Sequence, residues 1–192
     1  MRQLVTDPFG AYGVLTSAYL KELVAGFAIT ASLVCDDEGN TVNQSGSSAG
    51  LGNQTDLALL VALRRKSQLV LTSGRTFRAD SYRFPKQADL AVLTDQSIQI
   101  DIPAGQRLLT KNSGYTKAVL ELCAEGYSRI HIEYGITGIR ELVAHRQLDA
   151  LFLSSESLSG VDKLARNLAV TPSIYQLEDL YIGMVAWQPA LR

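Results

Sequence analysis

The chain has 192 residues, 46% hydrophobic and 19% charged, with a formal net charge of -1. That composition is globular, with enough chain to bury one core, and it predicts a single domain. The near-neutral balance gives no electrostatic case for nucleic acid or an anionic membrane, although a local basic patch would serve a phosphorylated small molecule.

Cys35 and Cys123 show no CxxC spacing, and His131 and His145 lie fourteen positions apart. No disulfide framework, zinc site or other metal is expected from them. The chain also lacks the His-x-Glu and Pro-Cys-x-x-Cys signature of a zinc deaminase. Asp7, Pro8 and Gly10 interrupt any secretory pattern, and no apolar run approaches a membrane span, so the cytoplasm is the expected compartment.

In chain order, residues 1–13 read as an irregular lead-in punctuated by Pro8, Gly10 and Gly13. Leu15 to Val24 reads as a short helix with Leu15, Tyr19, Leu20 and Leu23 on one side. Residues 26–34 form the first core strand, ended by the polar turn 35–40. The Gly- and Ser-rich stretch 43–53 reads as a flexible active-site loop, because strong elements flank it closely and no second domain follows. Asn53 or Thr55 caps a helix running to about Lys66, with Leu59, Leu60 and Leu63 facing inward.

Leu69 to Thr72 suits a buried strand, and Ser73-Gly74 breaks it. Thr76 is then the expected N-cap of a short helical turn ending near Asp80. Backbone N–H groups at such a turn attract phosphate, and Arg75 and Arg78 flank it. The ordinary alternative is a strand-to-helix turn rimmed by solvated arginines.

Further strands are expected at 89–94, 108–110, 129–133 and 148–154, with 98–102 as an edge strand or extended loop. Helices are expected from Lys117 to Ala124, closed by Gly126 at C′, and from the 135–138 turn through His145. Residues 173–177 and 180–187 read as an antiparallel hairpin around Glu178-Asp179. The alternation predicts a three-layer αβα domain with a mixed, mostly parallel sheet.

Four stretches in this order carry a family resemblance. They are Thr30-Ala31-Ser32-Leu33; Ser45 to Asn53 followed by Asp56; Ser73-Gly74-Arg75-Thr76-Phe77-Arg78-Ala79-Asp80-Ser81-Tyr82; and Ile132-Glu133-Tyr134-Gly135. The chain resembles the reductase domain of the bifunctional riboflavin-biosynthesis deaminase-reductases and their stand-alone bacterial relatives, which have a dihydrofolate-reductase-like fold. The resemblance spans nearly the whole chain. It implies NADPH as hydride donor and a ribosylamino-pyrimidine phosphate as substrate, whose ribose is opened to a ribityl chain.

The same resemblance gives the matched positions their roles. Thr76 and Asp80 contact the NADP, Gly74 permits close approach, and Arg75 stands where the family has a small residue. Glu133, Tyr134, Gly135 and Ile136 lie beneath the pyrophosphate, and Thr94 lies toward the adenosine. The Tyr134 ring, at a family glycine position, would crowd the pyrophosphate or stack on the cofactor. Ser32 and the loop residues Gly50, Leu51 and Gly52 border the substrate.

The family carries Asp after Ser-Leu, where this chain has Val34-Cys35. Asp36 or Asp37 is then the expected proton donor, with a solvated turn as the alternative for both. Family members pair as homodimers, and the apolar segment 180–187 is the expected contributor. Two further readings remain open on the same scaffold: a non-catalytic binder of a nucleotide or flavin precursor, and a structural subunit beside a separate deaminase.

Overall fold

The computed structural model describes residue 24 and residues 26–80 and 82–187. The expected lead-in, nearly all of the helix expected over 15–24, and Ser81 of the third motif lie outside the described residues.

Alternation of side chains decides the central strands. In β1 (Ile29–Val34), Ile29, Ala31 and Leu33 join one core cluster, while Thr30 and Ser32 point to the other face. β5 (Ile130–Glu133) repeats this, with Ile130 and Ile132 on the first face and His131 and Glu133 on the second. β2 (Leu69–Ser73), β3 (Asp89–Leu93) and β6 (Ala150–Ser155) are buried on both faces and read as apolar runs. β4 (Leu108–Lys111), β7 (Ser173–Leu177) and β8 (Leu180–Ala186) complete one eight-stranded sheet in the order β4-β3-β2-β5-β1-β6-β8-β7. The strands from β4 to β6 are parallel, and β8 and β7 add an antiparallel hairpin.

Helices cover both faces. On one side α3 (Tyr115–Ala124), α4 (Ile136–Ala144) and α5 (Leu158–Asn167) bury Val119, Leu122, Ile139, Leu142, Val161 and Leu164 against the sheet. On the other, α1 (Gln54–Lys66) buries Leu59 and Leu63 with Phe152 and Ile182, and the short α2 (Gly74–Ala79) places Phe77 against Val70 and Val92. Each such aliphatic or aromatic side chain contributes about 1.5–3 kcal/mol when fully buried. The expected three-layer α/β architecture with a mixed sheet is what forms.

Several local expectations change. The cap of α2 is Ser73, whose Oγ accepts the Thr76 N–H at 3.1 Å, so Thr76 lies inside the first turn. Leu60 is only half-buried and lines the cleft described below. Residues 98–102 are an extended loop, and α3 begins at Tyr115, two residues before Lys117. Helix α5 is an element with no counterpart in the sequence reading. Gly160 in its first turn lowers helix propensity, yet a Cβ there would lie 2.3 Å from the Asp36 carbonyl oxygen, so tertiary packing demands the glycine. As expected, Gly126 closes α3 at φ +99, and Tyr127 N–H and Gly126 N–H return to the Leu122 and Cys123 carbonyls. Among the described residues no helix is long and apolar enough to cross a membrane.

Candidate functional site

β1 lies between β5 and β6, and the chain leaves it toward β2 on one side and later returns to β6 on the other. That reversal opens a crevice at the carboxyl ends of the parallel strands, the general ligand position in open α/β sheets. A cleft of about 820 Å3 occupies it, bordered by the ends of β1, β2, β5 and β6 and by the 46–53 loop. Its volume is in the range of small-molecule and cofactor sites, about 300–1,000 Å3.

Beneath this cleft, β1 and β5 carry a polar stripe. His131 is fully buried on β5, with Thr30 Oγ1 3.0 Å from Nδ1 and Ser32 Oγ 3.2 Å from Nε2. Burial pushes its pKa from 6.5 down to about 4. Its 3.8 Å approach to Glu133 is therefore a contact of a neutral imidazole with a carboxylate, because desolvation outweighs the attraction.

Glu133 itself is fully engaged. Arg64 on α1 donates Nε and Nη2 hydrogen bonds to its two oxygens at 2.6 and 2.7 Å, and the Tyr82 hydroxyl donates to Oε2 at 2.6 Å. The Arg64 guanidinium also sits 5.1 Å from the Tyr82 ring centroid. Against the cost of burial, the Arg64 hydrogen bonds and charge hold Glu133 below its usual range. Neither Arg64 nor Tyr82 carries a motif signal that identifies this pairing, because the partners are brought together across the sheet.

Asp56 occupies the opposite wall, in the first turn of α1. Asn53 Oδ1 accepts the Asp56 N–H at 3.0 Å, which fixes the start of the helix. Ser154 at the end of β6 donates its hydroxyl to Asp56 Oδ1 at 2.5 Å. Ser154 is also the parallel register partner of Val34, so this carboxyl stands beside the end of β1. A Cβ on Gly52 would fall 2.3 Å from Asp56 Oδ2, so the glycine leaves room for the second oxygen. Desolvation raises the Asp56 pKa, partly opposed by the Ser154 hydrogen bond.

The third wall suits an anion. Gly135 caps α4 without a side-chain hydrogen bond, leaving the first-turn N–H groups of Ile136 and Thr137 uncapped at the cleft. Arg75 and Arg83 line the same space, are exposed, and have no carboxylate partner among the described residues. Uncapped amides and two guanidiniums without a carboxylate partner among the described residues form a donor set that would suit the phosphates of a dinucleotide.

Of the residues expected at the site, the fold brings Ser32, Gly50, Gly52, Arg75, Thr76 and Asp80 to the cleft, with Glu133 to Ile136 at the β5 end. Five others, Gly74, Thr94, Asp36, Asp37 and Leu51, lie elsewhere. Gly74 does permit a close approach, but the neighbour is Thr94, whose Oγ1 would be 2.7 Å from a Cβ on Gly74; neither residue lines the cleft. Asp36 and Leu51 border a separate hollow of about 290 Å3 with Cys35 and Asp37. Asp36 accepts hydrogen bonds from the backbone N–H groups of Glu38 and Asn40 and from the Asn40 side chain. These bonds lower its pKa, led by the Asn40 side chain, which makes it a poor proton donor. The Tyr134 ring neither crowds the cleft nor lies open to a cofactor: it is buried edge-on against Tyr115, centroids 4.8 Å apart.

Asp80 receives the Ser47 and Ser48 hydroxyls at 2.6 and 3.0 Å and the Ser48 N–H at 2.9 Å. The loop it holds is folded on itself, with Asn43 accepting from the Ser45 and Ser47 N–H groups and donating to the Ala49 carbonyl. The 43–53 stretch is thus an internally hydrogen-bonded wall of the cleft.

No protein-family model and no curated protein sequence matches the chain. Solved structures do match in fold. A pyrimidine reductase-like protein from Corynebacterium diphtheriae is similar at a TM-score of 0.61 and 17% identity, over 93% of this chain and 97% of that one. A putative riboflavin biosynthesis protein from Shewanella sp. PV-4 gives 0.59 and 11%, over 84% and 99%. The diaminohydroxyphosphoribosylaminopyrimidine deaminase/5-amino-6-(5-phosphoribosylamino)uracil reductase of Thermotoga maritima gives 0.58 and 13%, over 83% of this chain and 56% of that one. At these identities the likeness establishes a shared α/β fold alone, and function is a separate question.

Proposed function

We propose that the protein is an NADPH-dependent reductase of a phosphorylated ribosylamino-pyrimidine, acting on the class of substrate named for the Thermotoga maritima structure. The observation that carries this reading is the cleft at the strand reversal, where uncapped α4 amides and the unpaired Arg75 and Arg83 face one space. Arg75, Thr76 and the Gly135–Thr137 amides would hold the phosphates of the cofactor. Ser32, Gly50 and Gly52 would border the substrate. When bound, NADPH supplies the hydride.

The chain's own contribution is placement and exclusion of water. Ser47, Ser48 and Asp80 fasten the loop over the cleft, and the Arg64–Glu133–Tyr82 group fixes the floor. A cytoplasmic homodimer completes the proposal.

Titration of NADPH fluorescence with wild type, Thr76→Ala and the Arg75→Ala/Arg83→Ala double variant tests it. Saturable binding is expected, weakened roughly tenfold or more in the double variant, as two charge-assisted contacts are lost. Turnover of 5-amino-6-(5-phosphoribosylamino)uracil follows. Failure to bind millimolar NADPH overturns the reading. A non-catalytic binder is the second reading, favoured by the position of Asp36 outside the cleft; it predicts binding without oxidation of NADPH.

A further inference from the structure

Three described carboxylates line the cleft: Asp56, Asp80 and Glu133. Two are committed. Asp80 takes three hydrogen bonds from Ser47 and Ser48, and Glu133 takes three from Arg64 and Tyr82. Asp56 differs in its surroundings, since its carboxyl receives one side-chain hydrogen bond, from Ser154 to Oδ1. Oδ2 lies over Gly52, in the space left by the missing Cβ.

We infer that Asp56 is the general acid of this cleft, delivering a proton from its carboxyl to the ribose ring oxygen of the substrate, with Ser154 as its positioning residue. The inference rests on the reductase reading above and adds to it the acid that the Asp36 position does not supply. Neighbouring groups agree with the role. Desolvation favours the protonated carboxyl, and no cation is hydrogen-bonded to it among the described residues.

The bond between the aminated ribose carbon and the ring oxygen breaks, and its electron pair goes to the oxygen, which takes the Asp56 proton. The nitrogen lone pair forms the C=N bond of the open-chain iminium. That carbon then receives hydride, with NADPH as the named reductant, giving the ribityl amine and NADP+. Asp56 is left as carboxylate and regains its proton from water.

The test uses the full chain with NADPH and 5-amino-6-(5-phosphoribosylamino)uracil, comparing wild type, Asp56→Asn and Ser154→Ala. In Asp56→Asn, kcat falls by about 10²–10⁴, the usual worth of a general acid, while the Kd values of both ligands stay within a few-fold. Wild-type kcat declines as pH rises through the Asp56 ionisation, and this limb is absent from Asp56→Asn. Because the Ser154 hydrogen bond lowers the Asp56 pKa, Ser154→Ala moves the limb to higher pH. A carboxyl 13C titration of Asp56 in the protein without ligands reads the same movement, independently of turnover.

Asp56→Asn with kcat within threefold of wild type overturns this assignment and leaves the reductase reading standing. A loss confined to Kd reduces Asp56 to a binding residue and overturns it too. A wild type that binds both ligands without oxidising NADPH overturns the reductase reading, and the assignment with it.

Discussion

At the scale of single residues, the cleft is built from groups whose neighbours decide their charge. Glu133 carries its charge in a largely buried position only because Arg64 and Tyr82 satisfy it; its side chain is 10% exposed and that of Arg64 23%. Arg64→Met should therefore cost about 3 kcal/mol, since it strands a buried carboxylate. The matching Arg64→Met/Glu133→Gln pair should recover part of that loss, both read by urea unfolding. Gly52 makes a different demand: its conformation is ordinary, and the space above it holds Asp56 Oδ2. Gly52→Ala should displace that carboxyl and lower kcat about as Asp56→Asn does, with Tm changed little, because Asp56 sits at the half-exposed first turn of α1. A mutant with wild-type kcat would show that the second oxygen is not used.

At the scale of elements, the 43–53 loop joins a Gly- and Ser-rich composition to a dense set of hydrogen bonds. Glycine and serine at that density suggest mobility, yet Asn43 organises the loop from within and Asp80 anchors it to the end of α2. Asp80→Ala removes three hydrogen bonds at once, and the Ser47 and Ser48 groups it releases can turn to water, so the global cost stays near 1–2 kcal/mol. The larger effect is local: amide exchange across residues 45–50 should accelerate at least tenfold, while β1 and β5 stay protected. Uniform acceleration across the sheet would show that Asp80 supports the fold as a whole. Helix α5 carries the opposite lesson, since Ser157 caps it well and its three buried apolar residues suffice once β6 and β8 lie beneath them.

At the scale of the whole molecule, the central polar stripe couples stability to pH. His131 in the unfolded chain takes a proton near pH 6.5, whereas the folded chain resists it to about 4. The unfolded state therefore binds more protons between those values, and stability complete above about 6.5 is lost as pH falls toward 4. That difference amounts to about 2 kcal/mol between pH 7 and pH 5. Glu133, held below its usual value of 4.5, adds a further loss at lower pH. Asp56 has the opposite sign: its raised pKa makes the folded chain bind the extra proton, so stability falls as pH rises above 3.8. Calorimetry should find Tm falling from pH 7 to 5 in wild type, less so in His131→Gln, and Asp56→Asn more stable than wild type at pH 7. A Tm that is flat over this range would mean that water reaches His131.

The sequence by itself determined the layered α/β class, because period-two alternation in β1 and β5, apolar runs in β2 and β6, and the closing glycine of α3 are local patterns that a sheet covered on both faces satisfies. It also named most of the cleft, since strand ends and the turns after them are legible from composition. Only the tertiary structure decided which polar residues serve the cleft and which serve the fold. Gly74 receives Thr94, Asp80 holds serines, Tyr134 packs on Tyr115, and Asp36 closes its own turn. Arg64 and Ser154 became cleft residues through partners 69 and 98 positions away. Charge state depends on desolvation and on neighbours across the sheet, and neither quantity exists until the chain is folded.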